Sequence, residues 1–103
     1  MQHYIYVDDM RTLDKCPDGW QPHVVRTYED TIDLILAILY SGETASFILD
    51  LDHDLGKTKS GYDICKWVVE NQLPLVGFHI HSMNPVGVMN MRQLLTHYGY
   101  SEI

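Results

Sequence analysis

Two hydrophobic spacings alternate along this chain. "HYIYVDD" is a short β-branched and aromatic run that ends on two carboxylates, and it predicts a first strand from about His3 to Asp8. Pro17, Asp18, Gly19 and Pro22 break any helix in the stretch that follows, so a loop with at most one helical turn is expected. "HVVRTY" reads as a second strand. Thr27 and Asp30 then resemble a capping box, and Ile32, Ile35, Leu36 and Leu39 recur at helical spacing up to Ser41 and Gly42.

"ASFILDLD" predicts a third strand, near-continuously apolar in its first half, as in an interior strand covered on both faces. The polar loop "HDLGKTKS" leads to Ser60 and Asp63, a second capping box, at the head of a helix that buries Ile64, Trp67 and Val68. Leu73 and Pro74 close it. "LVGFHIHS" is a fourth strand and "NPVGVMNMRQLLTHY" a last helix, with Asn84 as N-cap, Pro85 at the first helical position and Gly99 at its end. Strands alternating with helices imply right-handed crossovers and a short parallel sheet with helices on its faces, a three-layer α/β sandwich. For so small a doubly wound domain the economical strand order is 2-1-3-4, which sets the first and third strands side by side.

Composition narrows the picture. A chain of 103 residues with 46% hydrophobic content supports one core, hence a single domain over residues 1–103. No run approaches the ~20 apolar residues of a membrane span, and no charged-then-apolar leader is visible, so a cytoplasmic protein without membrane contact is expected. Cys16 and Cys65 are too few for a disulfide framework; both are expected as free thiols, Cys65 on a helix flank. A net charge of −7 repels polyphosphate and argues against long nucleic acid on the bare surface. A small phosphate reached through a divalent cation remains open.

Candidate chemistry gathers at strand ends. In open α/β sheets the ligand site lies beyond the carboxyl ends of the strands where the order reverses, here between the first and third. Asp8 and Asp9 end one, Asp52 ends the other, and neighbouring strands lie about 4.8 Å apart. Carboxylates so close repel, and a hard cation with oxygen ligands neutralises them, Mg²⁺ best or Mn²⁺. Against this stands the plain alternative that strand-end acids face water. Asp50 shares the parity of Asp52 one pleat deeper, as a supporting or buried hydrogen-bonded carboxylate.

His79 and His81 share strand parity, and Ser82 and Asn84 flank the start of the last helix, whose free N–H groups and dipole suit a phosphate. His81, nearest the mouth, is a candidate general acid or base; the deeper His79 reads as a core or supporting histidine. Zn²⁺ or a di-iron centre would require both histidines at the metal, so either is a lesser alternative. Arg11 sits where it could clamp a phosphate or form an ordinary surface ion pair. His53 lies in the loop, a second acid/base or a bystander.

"VDDMR", "GW", "VVRTYED", "LDHDLG", "GYD", "KW" and "HIHSMNPVG" with Met91 together resemble the cyclic-phosphate-processing receiver-like domains, a divergent branch of the response-regulator receiver fold. The resemblance covers Tyr6 to about Leu95. It implies a truncated receiver/flavodoxin-like domain in which Asp8 and Asp9 are the metal-binding pair, Asp52 the receiver aspartate and Ser82 the hydroxyl residue. It adds Asp54, His53, His81 and Asn84 to the site, and Arg11 and Arg26 as phosphate contacts.

The activity so implied is metal-dependent hydrolysis of a cyclic phosphate, on an RNA end in RNA repair or on a small nucleotide. The rival is a degenerate receiver that binds a phosphorylated ligand or protein partner without turnover. Two departures from ordinary receivers stand out: a broken loop replaces the first helix, and the fifth strand with its lysine is missing. A homodimer is one way to supply the missing element.

Overall fold

The computed structural model describes every residue from Met1 to Ile103. Seven elements follow one another: β1 (Gln2–Val7), β2 (Gln21–Val25), α1 (Tyr28–Tyr40), β3 (Ser46–Leu51), α2 (Gly61–Glu70), β4 (Leu75–Ile80) and α3 (Pro85–His97). The strands form one parallel sheet in the order β2-β1-β3-β4, the order expected for a small doubly wound domain and the receiver/flavodoxin-like arrangement that the resemblance implies. No helix intervenes between β1 and β2. β2 begins at Gln21 rather than His23 and so takes in Pro22, which an edge strand tolerates because one row of its backbone groups has no ladder partner.

Each helix starts where its cap was expected. Thr27 Oγ1 accepts the Asp30 N–H at 3.0 Å, Ser60 and Asp63 close a reciprocal capping box, and Asn84 Oδ1 accepts the Gly87 N–H at 3.0 Å. Within α1 the buried stripe is Thr31, Ile35 and Ile38, so the apolar face is rotated from the expected one and Leu39 is exposed. The run "LILAILY" is apolar all round, and its periodicity could not select the stripe. Cys65 is a core residue rather than a flank, fully buried with Ile64 and Val68.

Alternation sorts the sheet into two unlike faces. Ile5, Val7, Leu49 and Phe78 join one cluster with Ile35 of α1, Ile64 of α2 and Met91 of α3, so all three helices lie on that face. The other face carries Tyr4, Tyr6, Ile48 and Asp50, and irregular chain closes it. Lys15, Cys16, Pro17 and Asp18 line a cleft with Tyr4, and the Ile103 side chain lies over Gly77. The third layer of the sandwich is therefore loop and tail, because the segment after β1 cannot form a helix.

A remnant of a fifth strand occupies the free side of β4. Phe78 N–H donates to the Ser101 carbonyl at 3.0 Å and Ile103 N–H to the Phe78 carbonyl at 2.8 Å, forming a parallel bridge at Glu102. Arg92 fixes that tail through Glu102, with Nε and Nη2 at 2.6 and 2.8 Å from its two carboxylate oxygens. The strand expected to be missing is thus present as one bridge, without a lysine. No helix is long and apolar enough to cross a membrane.

Candidate functional site

Three residues step across the carboxyl edge of the sheet. The ladder runs one residue past each strand: Asp8 N–H donates to the Val25 carbonyl, Asp52 N–H to that of Val7 and His81 N–H to that of Leu51, each at 3.0 Å. Asp8, Asp52 and His81 are thereby the first residues beyond β1, β3 and β4. Their potential ligand atoms all lie within 4.8 Å of one another, and both carboxylates are buried. Asp8 and Asp52 line, with Asp9, Arg11, Asp54, Ser82 and Asn84, an open pocket of about 510 Å³, and His81 lies behind them against Asp8. A larger, more apolar cleft on α3 shares Ser82 and Met83 with it, but its one charged group, Arg92, is committed to Glu102.

The two carboxylates are held differently. Asp8 Oδ1 accepts the N–H groups of Met10 and Arg11 at 2.9 and 2.7 Å, and Oδ2 faces Arg11 Nε at 2.9 Å and His81 Nε2 at 3.0 Å. Burial pushes its pKa up, but the Arg11 and Met10 backbone donors, His81 and the Arg11 charge outweigh burial and hold it at about 2. Asp52 Oδ1 accepts the His53 N–H at 2.8 Å, while Oδ2 stands 3.9 Å from Arg11 Nη2 and faces the pocket. Arg11, half exposed, lies across the mouth.

His81 has both nitrogens on carboxylates. Nε2 meets Asp8, and Nδ1 lies 2.6 Å from Asp50 Oδ1. Burial lowers its pKa, but the hydrogen bonds and charges of Asp50 and Asp8 prevail and raise it. Of the two readings open for Asp50, the structure shows the buried, hydrogen-bonded carboxylate: 4% exposed, it also accepts the Tyr4 hydroxyl at 2.5 Å. The imidazole lies flat on the Tyr6 ring, 4.4 Å between centroids and 4° from parallel. Tyr4 and Tyr6 carried no motif; their parity with Asp50 on adjacent strands was the available signal.

His79 stands apart from this group. It shares the parity of His81 but is exposed, because no helix covers that face, so it is neither a core nor a supporting histidine and cannot join a two-histidine centre. Asp9 lines the pocket without entering the ligand cluster, since the chain turns at Asp8 and carries the Asp9 carboxylate toward Gly56. Arg26 Nη1 donates to the Asp8 and Arg11 carbonyls, the former at 3.1 Å, and so braces the loop instead of facing the pocket.

The loop after β3 meets α3. His53 Nδ1 lies 2.8 Å from Asp54 Oδ1, and Asn84 Nδ2 is 3.4 Å from His53 Nδ1 and from both Asp54 oxygens. His53 Nε2 has no protein partner, and His53 and Asn84 hold the exposed Asp54 carboxyl below its usual range. At the α3 start Asn84 Oδ1 occupies the Gly87 N–H, Ser82 Oγ accepts the Asn84 N–H at 3.1 Å, and Pro85 has no N–H. The helix thus offers an anion its dipole and Asn84 Nδ2 more than a row of free amides.

Two glycines make these approaches possible. A Cβ on Gly61 would fall on the Asp52 carbonyl, and one on Gly87 would fall on the His53 ring. "GYD" and "NPVG" drew notice in the sequence, but neither glycine had a readable role there.

A family model described as Cyclic-phosphate processing Receiver domain matches residues 3–97. Neither curated proteins nor solved structures yield a match.

Proposed function

Because the chain belongs to the cyclic-phosphate processing receiver family, we propose that it is a metal-dependent phosphoesterase that opens a cyclic phosphate, on an RNA end or a small nucleotide. The observation that carries this reading is the convergence of Asp8, Asp52 and His81 to within 4.8 Å of one another, with Arg11 on both carboxylates. Two buried carboxylates with an imidazole beside them suit a divalent cation, Mg²⁺ or Mn²⁺, which when bound withdraws charge from the phosphate and activates water.

The chain's own residues supply the rest. Arg11 turns its guanidinium from Asp8 and Asp52 to a non-bridging phosphate oxygen, and Asn84 and Ser82 orient the ester at the α3 start. His53 moves the proton: Nδ1 rests on Asp54, and Nε2 is free to take a proton from water or give one to the leaving oxygen. Water adds to phosphorus, one ring P–O bond breaks, and a phosphate monoester with a free hydroxyl remains.

Turnover of 2′,3′-cyclic ends and small cyclic nucleotides with Mg²⁺ or Mn²⁺, abolished by Asp52→Asn, supports this function. Absence of turnover with every such substrate sinks it in favour of a non-catalytic receiver that binds a phosphorylated ligand.

A further inference from the structure

We propose that His81 is a direct ligand of the cation, that Asp50 and Tyr4 are positioning residues for it, and that the site therefore takes a first-row transition ion such as Mn²⁺ or Co²⁺ in preference to Mg²⁺. The inference rests on the cation site assigned above and adds to it the nature of the ion.

Ligands around 2.0 to 2.2 Å from an ion stand roughly 3 to 4.4 Å from each other, and the donor atoms of Asp8, Asp52 and His81 already fall within 4.8 Å. Small side-chain movements close the remainder.

The arrangement behind His81 is specific to a ligand. A histidine that shuttles protons at a solvent-facing mouth has to reach its reactant, and an imidazole nitrogen tied to a carboxylate on each side cannot do so. His81 is fixed three ways: Nδ1 on Asp50 Oδ1 at 2.6 Å, its plane on Tyr6 at 4.4 Å, and Nε2 turned to Asp8. Asp50 spends its side-chain hydrogen bonds on His81 and Tyr4 alone.

A buried carboxylate that grips Nδ1 keeps a proton there, so that when a cation replaces the Nε2–H···Asp8 hydrogen bond the proton released is the one on Nε2, whose lone pair then faces the ion. This is how metal-bound histidines are oriented.

Ion choice follows from donor type. Two carboxylate oxygens alone suit Mg²⁺, which prefers oxygen and keeps its waters. Adding a preset imidazole favours ions that accept nitrogen, and the single histidine with two carboxylates leaves positions open for water and phosphate oxygen. His79, exposed on the same face, supplies no second nitrogen.

The test is metal binding to the full chain, with no substrate present. Titration calorimetry with Mn²⁺, Co²⁺ and Mg²⁺, and pulsed EPR of the Mn²⁺ complex with ¹⁵N-labelled histidine, read affinity and nitrogen coordination separately. Mn²⁺ and Co²⁺ are expected to bind at least about tenfold tighter than Mg²⁺, with a directly coupled histidine nitrogen. Asp50→Asn should weaken Mn²⁺ by about 10 to 100-fold and Tyr4→Phe by less, while Mg²⁺ affinity changes little. His81→Gln should erase the preference between ions.

A bound Mn²⁺ without nitrogen coupling, or equal affinities in the wild-type chain, overturns this inference and leaves the phosphoesterase reading standing. No binding of any of the three ions overturns both. The wild-type spectrum decides the point even if a variant fails to fold.

Discussion

Gly61 packs so closely against the main-chain carbonyl of Asp52 that no methyl group fits between them. Its N–H donates to the His53 carbonyl at 2.8 Å, which ties the start of α2 to the loop that carries Asp52, His53 and Asp54. Backbone meets backbone here, so neither side can swing away. Gly61→Ala is expected to destabilise the fold by about 1 to 3 kcal/mol through overpacking, read by urea unfolding. An unchanged unfolding midpoint would show that the loop yields.

Gly87 faces a side chain instead, and the expected outcome differs. A Cβ there would overlap His53 Cγ and Cδ2 and also stand 2.9 Å from His53 Cβ, so turning the ring relieves only part of the clash and the His53 loop must give as well. Gly87→Ala should cost about 1 to 2 kcal/mol, because alanine's preference for the helix offsets only part of the overpacking. Turnover of the cyclic phosphate should fall by about 10²-fold as the proton-moving ring is displaced. Steady-state kinetics beside a thermal melt separates the two effects; retained turnover removes His53 from the mechanism.

Asp63 links stability to pH. The Ser60 backbone N–H, helped by Lys66 against the opposing effect of burial, lowers its pKa below the ordinary value of 3.8. A carboxylate depressed in the folded state stabilises above the unfolded value, and that stability is lost as pH falls through the folded one. Asp63→Asn should therefore cost about 0.5 to 2 kcal/mol at pH 7, with the gap from wild type closing at pH below 3.8. Unfolding curves measured across the acid limb give the comparison, and a gap constant with pH contradicts it.

The two thiols should react at very different rates. Cys65 is fully buried, and burial pushes its pKa up to about 12, whereas Cys16 sits partly exposed in the loop with Sγ 3.3 Å from the Trp20 carbonyl. Iodoacetamide on the native chain is expected to modify Cys16 first, with Cys65 following only on unfolding. Peptide mass mapping reads the order, and early labelling of Cys65 would mean that the α2 face opens in the native state.

What the sequence made legible was position along strands. Asp8 and Asp52 stood out because a carboxylate just past an apolar strand has one address in this topology, the carboxyl edge, and adjacency of β1 and β3 brings the two together. Asp9 looked equivalent in sequence, yet the turn capped by Asp8 Oδ1 sends it aside. His79 and His81 looked alike by parity, but their surroundings depend on what covers the sheet, and the missing helix after β1 leaves one bare.

The Tyr4–Asp50–His81 chain joins residues 46 and 31 positions apart. It exists only once strand register is set, so no local motif announces it.

The loop over residues 9–20 does two things at once. Lys15, Cys16 and Pro17 shelter Tyr4 on the helix-free face, while Asp9, Met10 and Arg11 form the rim of the site. A segment of this kind, without secondary structure of its own and largely exposed, belongs to the part of a protein that opens most readily. Its excursions would wet the Tyr4 hydroxyl and lift Arg11 from Asp8 in a single event. Access to the pocket and protection of the sheet amides beneath it would then share one opening rate, and a ligand clasped by Arg11 would slow hydrogen exchange on β1 far from any atom it touches.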